Sequence, residues 1–172
     1  MKRLLFLLVI ALSTAFEAGA QKFALVDMEY ILSNIPAYER ANEQLNQTSK
    51  KWQAEVEALD NQAKTLYKNY QNEAVFLSEA QKKEREQAIV DKEKEASELR
   101  KKYFGPQGEL YKKRIALIEP IQDEVYNAIK GIAQQRGYQL VLDRATETAG
   151  IIFASPSIDI SNEVLAKLGY EK

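Results

Sequence analysis

Two aspartates are the residues of this chain that, by type and position, could take part in acid-base catalysis. Asp27 ends the short apolar run 23–27, and Asp143 ends a similar run at 138–143. Two carboxylates held close together can work as a general acid and a general base. Each aspartate also has a simpler role, because Asp27 can cap a short helix that starts at Met28 and Asp143 can open a turn. We interpret both residues as structural.

The missing residue types exclude most kinds of catalytic site. The chain contains no Cys and no His, which removes thiol nucleophiles, Ser-His and Cys-His pairs, disulfides and the commonest zinc ligands. It also has neither a Gly-x-Gly-x-x-Gly pattern nor a Gly-x-x-x-x-Gly-Lys-Ser/Thr loop to hold a nucleotide phosphate. We therefore predict a protein that is not an enzyme, uses no metal or other cofactor and works without ATP.

The charged residues are numerous and balanced. There are 24 Lys and Arg against 25 Asp and Glu, a formal net charge of −1, and the two signs alternate along the chain. A nucleic-acid-binding surface would need a basic patch or stripe. We therefore exclude nucleic acid as a partner.

The first residues have the pattern of a secretory signal peptide. A basic start is followed by the apolar run Leu4–Leu12 and by the small residues Ala18 and Ala20, which predict cleavage before Gln21. The apolar run is too short to span a bilayer, and no later run is long enough. We therefore predict a signal peptide at 1–20 and an exported chain without stable membrane insertion.

Three short apolar runs rich in strand-forming residues predict strands at 23–27, 138–143 and 150–154. A last helix is predicted over Ser161–Leu168, with Ser161 as its cap. We expect the apolar side chains of the strands to form the core of a small head, or of its assembly: Phe23, Leu25, Leu140, Leu142, Ile151 and Phe153.

Between the first two strands lies a long segment that favours helix. From Pro36 onward its apolar residues recur three, four or seven positions apart, which is the spacing of a coiled-coil seam: Leu45, Trp52, Val56, Leu59, Ala63, Leu66 and Tyr70. The same spacing resumes after a break near Leu77, with fewer apolar residues: Ile89, Ala96, Leu99, Tyr103 and Leu110.

The break near Leu77 predicts a hairpin. Ser78 and Gln81 form a capping-box pattern, and so short a turn directs the second helix back along the first. The expected fold is α+β but mostly α, with a long antiparallel coiled-coil hairpin (the arm, 36–120) projecting from a small β-rich head (21–35 and 121–172). Short strands leave sheet edges unpaired, so we expect the head to self-associate. The number of subunits does not follow from the residues.

The order of these elements is similar to that of a known family. A cleavable signal is followed at once by Phe23–Asp27, then by a long charged hairpin, by Tyr138–Asp143, and by Ile158–Ser161 leading into Val164 and Leu165. In this the chain resembles the Skp/OmpH family of periplasmic chaperones. The resemblance implies a homotrimer whose three helical arms enclose a cavity. It also implies binding of unfolded outer-membrane proteins in the periplasm without ATP.

Two features depart from that family. Its better-known members are strongly basic, whereas this chain is near neutral, which argues against lipopolysaccharide binding. The second departure is Gly105-Pro106-Gln107-Gly108 in the returning helix, where the family has an uninterrupted one. Pro and Gly loosen a helix, and this stretch faces the polar Ser49. The hypothesis is a hinge at Gly105, Pro106 and Gly108; the alternative is a fixed kink.

Three aromatic residues of the arm are candidates for contact with an unfolded client: Tyr67, Phe76 and Phe104. They lie off the main seam, and weak contacts from several arms together could retain a client. The alternative is that they thicken the seam or touch a neighbouring head. A different class of function also stays open, a structural coiled-coil spacer or adaptor of the cell envelope, which should have a seam filled to its tip.

Overall fold

The computed structural model describes residues 22–146 and 150–170. The predicted signal peptide at 1–20, with Ala18 and Ala20, lies outside the described residues. The chain divides into two compact units. The first, called here the strand unit, contains the described parts of Met1–Ile31 and Ala128–Lys172. The second, the hairpin unit, is Leu32–Asn127.

The strand unit is built on two parallel strands. Strand β1 (Lys22–Val26) pairs with β2 (Tyr138–Asp143), with Phe23 opposite Leu140 and Leu25 opposite Leu142. Parallel pairing needs a long crossover between the strands, and the helical segment between them supplies it. Helix α1 (Met28–Ser33) begins directly after β1.

The second edge of β1 is occupied by a segment near the end of the chain. Leu25 forms an isolated parallel bridge with Asp159, and the Ile160 amide donates to the Leu25 carbonyl at 2.9 Å. This pairing brings helix α5 (Ser161–Lys167) onto the strands. The buried apolar side chains of the unit are Ala24, Leu25, Val26, Ile31, Ala128, Ile132, Ile160, Val164 and Leu165.

The predicted third strand at 150–154 is wrong. Residues 151–155 belong to no strand, and among the described residues they pair with none. The edge of β1 that could have received them is taken by Asp159 and Ile160. A strand needs a hydrogen-bonding partner as well as strand-forming residues, and Phe153 is left 85% exposed.

Of the six residues predicted for the core of the head or its assembly, Leu25 is buried within the chain. Ile151 is half-buried, and Phe23, Leu140, Leu142 and Phe153 are exposed. These four side chains are therefore not part of a core within the single chain, whereas Leu25, which is paired with Leu142, is covered. Their role in an assembly stays a prediction.

Within the hairpin unit, two long helices form the predicted hairpin. Helix α2 (Pro36–Glu73) starts with its proline in the first turn, where the missing N–H is no loss. A 3₁₀ turn (Ala74–Phe76) follows, and helix α3 (Glu79–Phe104) returns. The capping box is formed: the Ser78 hydroxyl accepts from the Gln81 amide, and the Gln81 side chain accepts from the Ser78 amide at 2.9 Å.

Contacts across the hairpin confirm its antiparallel course. The Tyr70 hydroxyl donates to Glu86 at 2.5 Å, and Arg100 pairs with Asp60 at 2.7 Å. The two residues of each pair are farther apart in sequence when the pair is farther from the turn. This is expected when two antiparallel helices lie side by side. The predicted seam supplies four of the five buried side chains of this pair of helices, Val56, Ala63, Ile89 and Ala96, and Ala41 is the fifth.

The returning segment is divided in two. Helix α3 ends at Phe104, and helix α4 (Glu109–Arg136) begins after a short turn at 105–108. Helix α4 then continues through Pro120 and runs on into the strand unit. No helix in the described part of the chain has both the length and the apolar character needed to cross a membrane.

Candidate functional site

The turn of the hairpin presents an exposed apolar point. Val75 and Phe76 lie in the 3₁₀ turn between α2 and α3, and Phe76 is 88% exposed. The run Ala74–Leu77 contains no charged residue, so the surface of the turn itself is apolar. A large apolar side chain left in water is a potential contact for a partner.

An aromatic cluster joins the two helices further from the turn. The rings of Trp52 on α2 and Tyr103 on α3 are stacked, with centroids 4.5 Å apart and planes 7° from parallel. The ring of Phe104 meets Tyr103 edge-on at 6.3 Å. Stacked and edge-on pairs are the preferred arrangements of aromatic rings. The cluster therefore fastens the last turn of α3 onto α2.

Tyr103 is also held by its hydroxyl, which donates to Glu55 at 2.7 Å. This hydrogen bond, together with desolvation and the negative charge of Glu55, raises the pKa of Tyr103 above its ordinary value of 10.0. A hydrogen bond to Glu86 acts in the same direction on the pKa of Tyr70. Both tyrosines are therefore neutral donors at physiological pH.

A groove of about 500 Å³ lies beside this cluster, between α2 and α3. Val56 and Phe104 are its apolar lining, and Ser49 lies where the seam would place a larger residue. The ion pair of Asp60 with Arg100 is at its margin. The groove can take an apolar side chain, because its apolar lining is only partly covered by the chain itself.

All three predicted contact residues are exposed side chains of the hairpin unit. The exposed fraction is 51% for Tyr67, 88% for Phe76 and 38% for Phe104. They do not form one patch. Phe104 follows the residue that stacks on Trp52, which places it roughly 20 Å along α2 from Tyr67 at 1.5 Å per residue. These are separate points of contact, and their binding of a client stays a prediction.

Sequence reasoning missed several exposed apolar residues of the hairpin unit: Val75, Val90, Tyr111, Ile115 and Tyr126. For Val75 the uncharged run at the turn was a usable signal. The stack of Trp52 on Tyr103 could also have been found, because both are seam residues at nearly equal distances from Leu77 along the chain.

The turn at 105–108 is compact. The Gly105 amide donates to Lys101, and the Gly108 amide donates to Gly105 at 2.8 Å. A Cβ at Gly105 would lie 2.4 Å from the Lys101 carbonyl oxygen, and one at Gly108 would lie 2.7 Å from that of Tyr103. Both positions need glycine because backbone packs directly against them. The arrangement has the features of a fixed kink, and movement at Gly105, Pro106 and Gly108 stays a hypothesis.

On the facing helix, α2 is unbroken through residues 46–49. The Thr48 hydroxyl donates to the Gln44 carbonyl at 2.7 Å, a local hydrogen bond that often bends a helix. Any bending at this level of the hairpin would therefore involve Thr48 as well as the turn at 105–108.

The two aspartates that could have done chemistry are both structural. Asp27 accepts from the Tyr30 amide at 2.8 Å and so caps α1, while Asp143 accepts from the amides of Met28 and Ala145. Arg144 pairs with Asp27 at 3.2 Å and with Asp159 at 3.1 Å. Every carboxylate of this group is thus occupied by an amide or a guanidinium.

The cap of α5 also differs from the prediction. Ser161 is the first helical residue, and its amide donates to the Asp159 carboxylate at 2.9 Å. The Ser161 hydroxyl instead accepts from the Asp27 amide at 2.8 Å and donates to Asp159 at 2.6 Å. Within residues 22–146 and 150–170, no group of three or more Asp and Glu side chains is arranged to hold a metal ion.

Comparison with known proteins supports this fold. A sequence profile described as outer membrane protein (OmpH-like) matches residues 22–168. The chain is 22% identical to the chaperone protein Skp of Yersinia enterocolitica over 159 residues, which cover 92% of this chain and 93% of that protein. It is 24% identical to the chaperone protein Skp of Photorhabdus luminescens over 151 residues, 83% of this chain and 87% of that one.

A solved structure shows the same fold. The OmpH-like protein of Caulobacter crescentus matches with a TM-score of 0.66 over 89% of both chains, at 13% sequence identity. The helical hairpin and the small pair of strands are thus an arrangement that a distant sequence also adopts. The chain belongs to the Skp/OmpH family, which is a family of chaperones.

Proposed function

We propose that this chain is an ATP-independent holding chaperone of the periplasm, which binds unfolded outer-membrane proteins and prevents their aggregation. The observation that carries the proposal is the set of large apolar side chains left in water along the hairpin, among them Tyr67, Phe76 and Phe104. Single exposed apolar groups are common on protein surfaces, but these include large aromatic rings, and Val75 and Phe76 are neighbours at the turn with 86% and 88% of their surfaces exposed, so they are available to a client.

The distribution of these side chains fits a client without a fixed structure. They are spread along the helices as separate points, so each offers an unfolded chain only a weak contact. Several weak contacts acting together give useful retention through effective concentration. A folded partner would instead need a continuous patch of roughly 800 Å² on each side.

The spacer or adaptor function is less well supported. Such a protein should have a filled seam up to the turn, which makes the hairpin stiff. Of the α3 side chains that the structure describes, only Ile89 and Ala96 are buried, so the contact between the helices is thin. A thin seam allows the helices to separate or bend more easily, which is of more use to a chaperone than to a spacer.

Self-association as a homotrimer is part of the proposal. Phe23 and Leu140 lie opposite each other on adjacent strands, Leu142 is two residues further along, and all three are exposed. A two-stranded sheet is marginal alone, so a second copy that covers this face would stabilise it. Sedimentation of the mature protein tests the trimer: a monomer at micromolar concentration would contradict this part of the proposal.

The chaperone function is tested with an outer-membrane β-barrel protein diluted from urea, in the absence of nucleotide. We expect the mature chain to suppress its aggregation, as measured by light scattering. Replacing Tyr67, Phe76 and Phe104 together by Ser should weaken client retention by about tenfold, because three apolar contacts are removed. Oligomeric state and helix content should not change.

The matched control replaces three exposed polar residues near the same positions by Ser: Asn69, Asn72 and Gln107. This variant should retain the client as the unchanged protein does. Equal retention by the aromatic and the polar triple variants would remove the three aromatics from the site. A mature protein that does not delay aggregation at all would contradict the holding function itself.

A further inference from the structure

We infer that the groove beside Phe104 is a receptor for an aromatic side chain of the bound client. The inference rests on the proposed function and adds to it a place and a chemical class. The occupant is one aromatic residue of an unfolded, extended polypeptide, and the groove holds it between α2 and α3.

The space exists because one seam position carries a small polar residue. On α2 the seam runs Leu45, Trp52, Val56, and Ser49 lies between the first two at the seam spacing of three and four. A leucine there would narrow the gap between the helices, whereas the half-buried Ser49 leaves the groove, of about 500 Å³, wider.

The lining of the groove favours an aromatic guest. Val56 is buried at its base, and Phe104 remains 38% exposed although Tyr103 packs against it edge-on. A second aromatic ring entering the groove would extend this cluster, and aromatic pairs contribute more than their buried area alone. An aliphatic side chain would gain only the burial.

Charges at the margin argue against an anionic guest. Arg100 is neutralised by Asp60 at 2.7 Å, and Glu57 adds a further carboxylate. An anionic group would meet Glu57 without a free cation to bind. The planar guanidinium of Arg100, held in place by its ion pair, also offers a surface on which a neutral ring can stack.

The groove is too small for a folded partner, and it has room for one aromatic side chain together with the extended backbone beside it. A volume of about 500 Å³ is open on one side and lies between only two helices, so a guest is held weakly and exchanges quickly. Weak, renewable capture of aromatic residues is what a holding chaperone needs, because the client must later be released.

The chain provides its own reporter for this site. Trp52 is the only tryptophan in the sequence; it is next to the groove residue Gln53 and stacks on Tyr103, which precedes Phe104. Its fluorescence can be followed while a tryptophan-free peptide is added. The probes are short unfolded peptides of glycine, serine and asparagine that carry two phenylalanines, two leucines or two serines.

We expect the phenylalanine peptide to change the emission of Trp52 in a saturable way, the leucine peptide to bind more weakly and the serine peptide to have no effect. Ser49→Leu narrows the groove with a good helix former, so binding of the phenylalanine peptide should weaken by roughly three- to tenfold while thermal stability is kept or increased. Phe104→Ser, a change at an exposed position, should weaken binding to a similar extent.

The matched control is Ala58→Leu. Ala58 lines a groove of about 520 Å³ on another face of the same two helices, together with Thr65, Leu66 and Lys92. Narrowing that groove should leave the response to the peptide unchanged. An equal loss in Ala58→Leu, or no loss in both Ser49→Leu and Phe104→Ser, overturns the inference.

Failure of this inference can be told apart from failure of the proposed function. If the mature chain suppresses aggregation of the urea-diluted barrel protein while Trp52 does not respond to the phenylalanine peptide, the chaperone stands and the groove is not its site. If Trp52 responds and aggregation is not suppressed, the groove is a receptor and the holding function is wrong.

Discussion

The strand unit and the hairpin unit both leave apolar side chains in water, but they arrange them differently. In the strand unit Phe23, Leu140 and Leu142 lie on two paired strands, so they form one flat face. In the hairpin unit the exposed groups are isolated, with Phe76 at the turn and Phe104 far from it along the helices. A flat face suits a partner with a fixed surface, whereas isolated points suit a partner that can adapt its shape.

The hydrogen bonds and ion pairs of the two units also differ. In the strand unit a network of hydrogen bonds and ion pairs fixes three segments of the chain. Its members are Asp27, Arg144, Asp159 and Ser161. In the hairpin unit the ion pairs join residues one turn apart in the same helix, or residues of the two neighbouring helices. They lie at the surface, where each contributes little to stability. Polar bonds therefore fix the chain path in the strand unit, whereas in the hairpin unit they add little to the packing of the helices.

The largest effect is expected at the flat face. Leu140→Asp places a carboxylate among apolar groups that assembly would bury, at a cost of order 3 kcal/mol and more than a hundredfold in the dissociation constant. Sedimentation equilibrium measures the change. Gln139→Asp, on the same strand but the other face, is the control and should assemble normally. If both variants assemble as the unchanged protein does, the sheet face is not an interface.

A smaller loss is expected from the polar network of the strand unit. Ser161 is buried and is both donor to Asp159 and acceptor from the Asp27 amide. Ser161→Ala leaves that amide without its acceptor and should lower the free energy of unfolding by about 2 kcal/mol. Ser97→Ala, at an exposed position of α3, should be neutral. Equal urea midpoints for the two variants would contradict the contrast drawn between the units.

The features predicted from the sequence are those decided over a few neighbouring residues. The seam through Val56 and Ala63, the capping box of Ser78 and Gln81, and the cap formed by Asp27 all depend on short spacings. The antiparallel pairing of the two helices then follows, because two helices joined by a short turn must lie side by side.

The features that sequence did not reveal depend on residues far apart in the chain. The run at 150–154 has strand-forming residues, but the edge of β1 is occupied by Asp159, which has no strand pattern of its own. The clamp of Arg144 on two aspartates and the groove beside Phe104 require positions that only the folded chain sets. Strand propensity is a property of one residue, whereas strand pairing and the shape of a groove depend on which other residues lie next to it in the folded chain.

A change of about 1 kcal/mol is expected at the turn that interrupts the returning segment. Gly108→Ala places a Cβ 2.7 Å from the Tyr103 carbonyl oxygen and 2.9 Å from the Gly105 amide nitrogen, so the turn must shift. Gln107→Ala, at an exposed position, should cost almost nothing. Amide relaxation at 105–108 decides between hinge and kink: order parameters equal to those of the flanking helices indicate a fixed kink, and clearly lower ones a hinge.

The smallest effect concerns pH and the fastening of α3 onto α2. Because its hydrogen bond to Glu55 raises the pKa of Tyr103 above 10.0, the folded state holds this proton more tightly than the unfolded chain does. The resulting stabilisation is fully present below pH 10 and is lost as the pH rises through the raised value. Tyr103→Phe keeps the stack on Trp52 and removes the titrating group, so its melting temperature should fall less between pH 9 and pH 11 than that of the unchanged protein. Parallel curves for the two proteins would show that Glu55 does not hold the Tyr103 hydroxyl in solution, and that ring stacking alone joins the helices there.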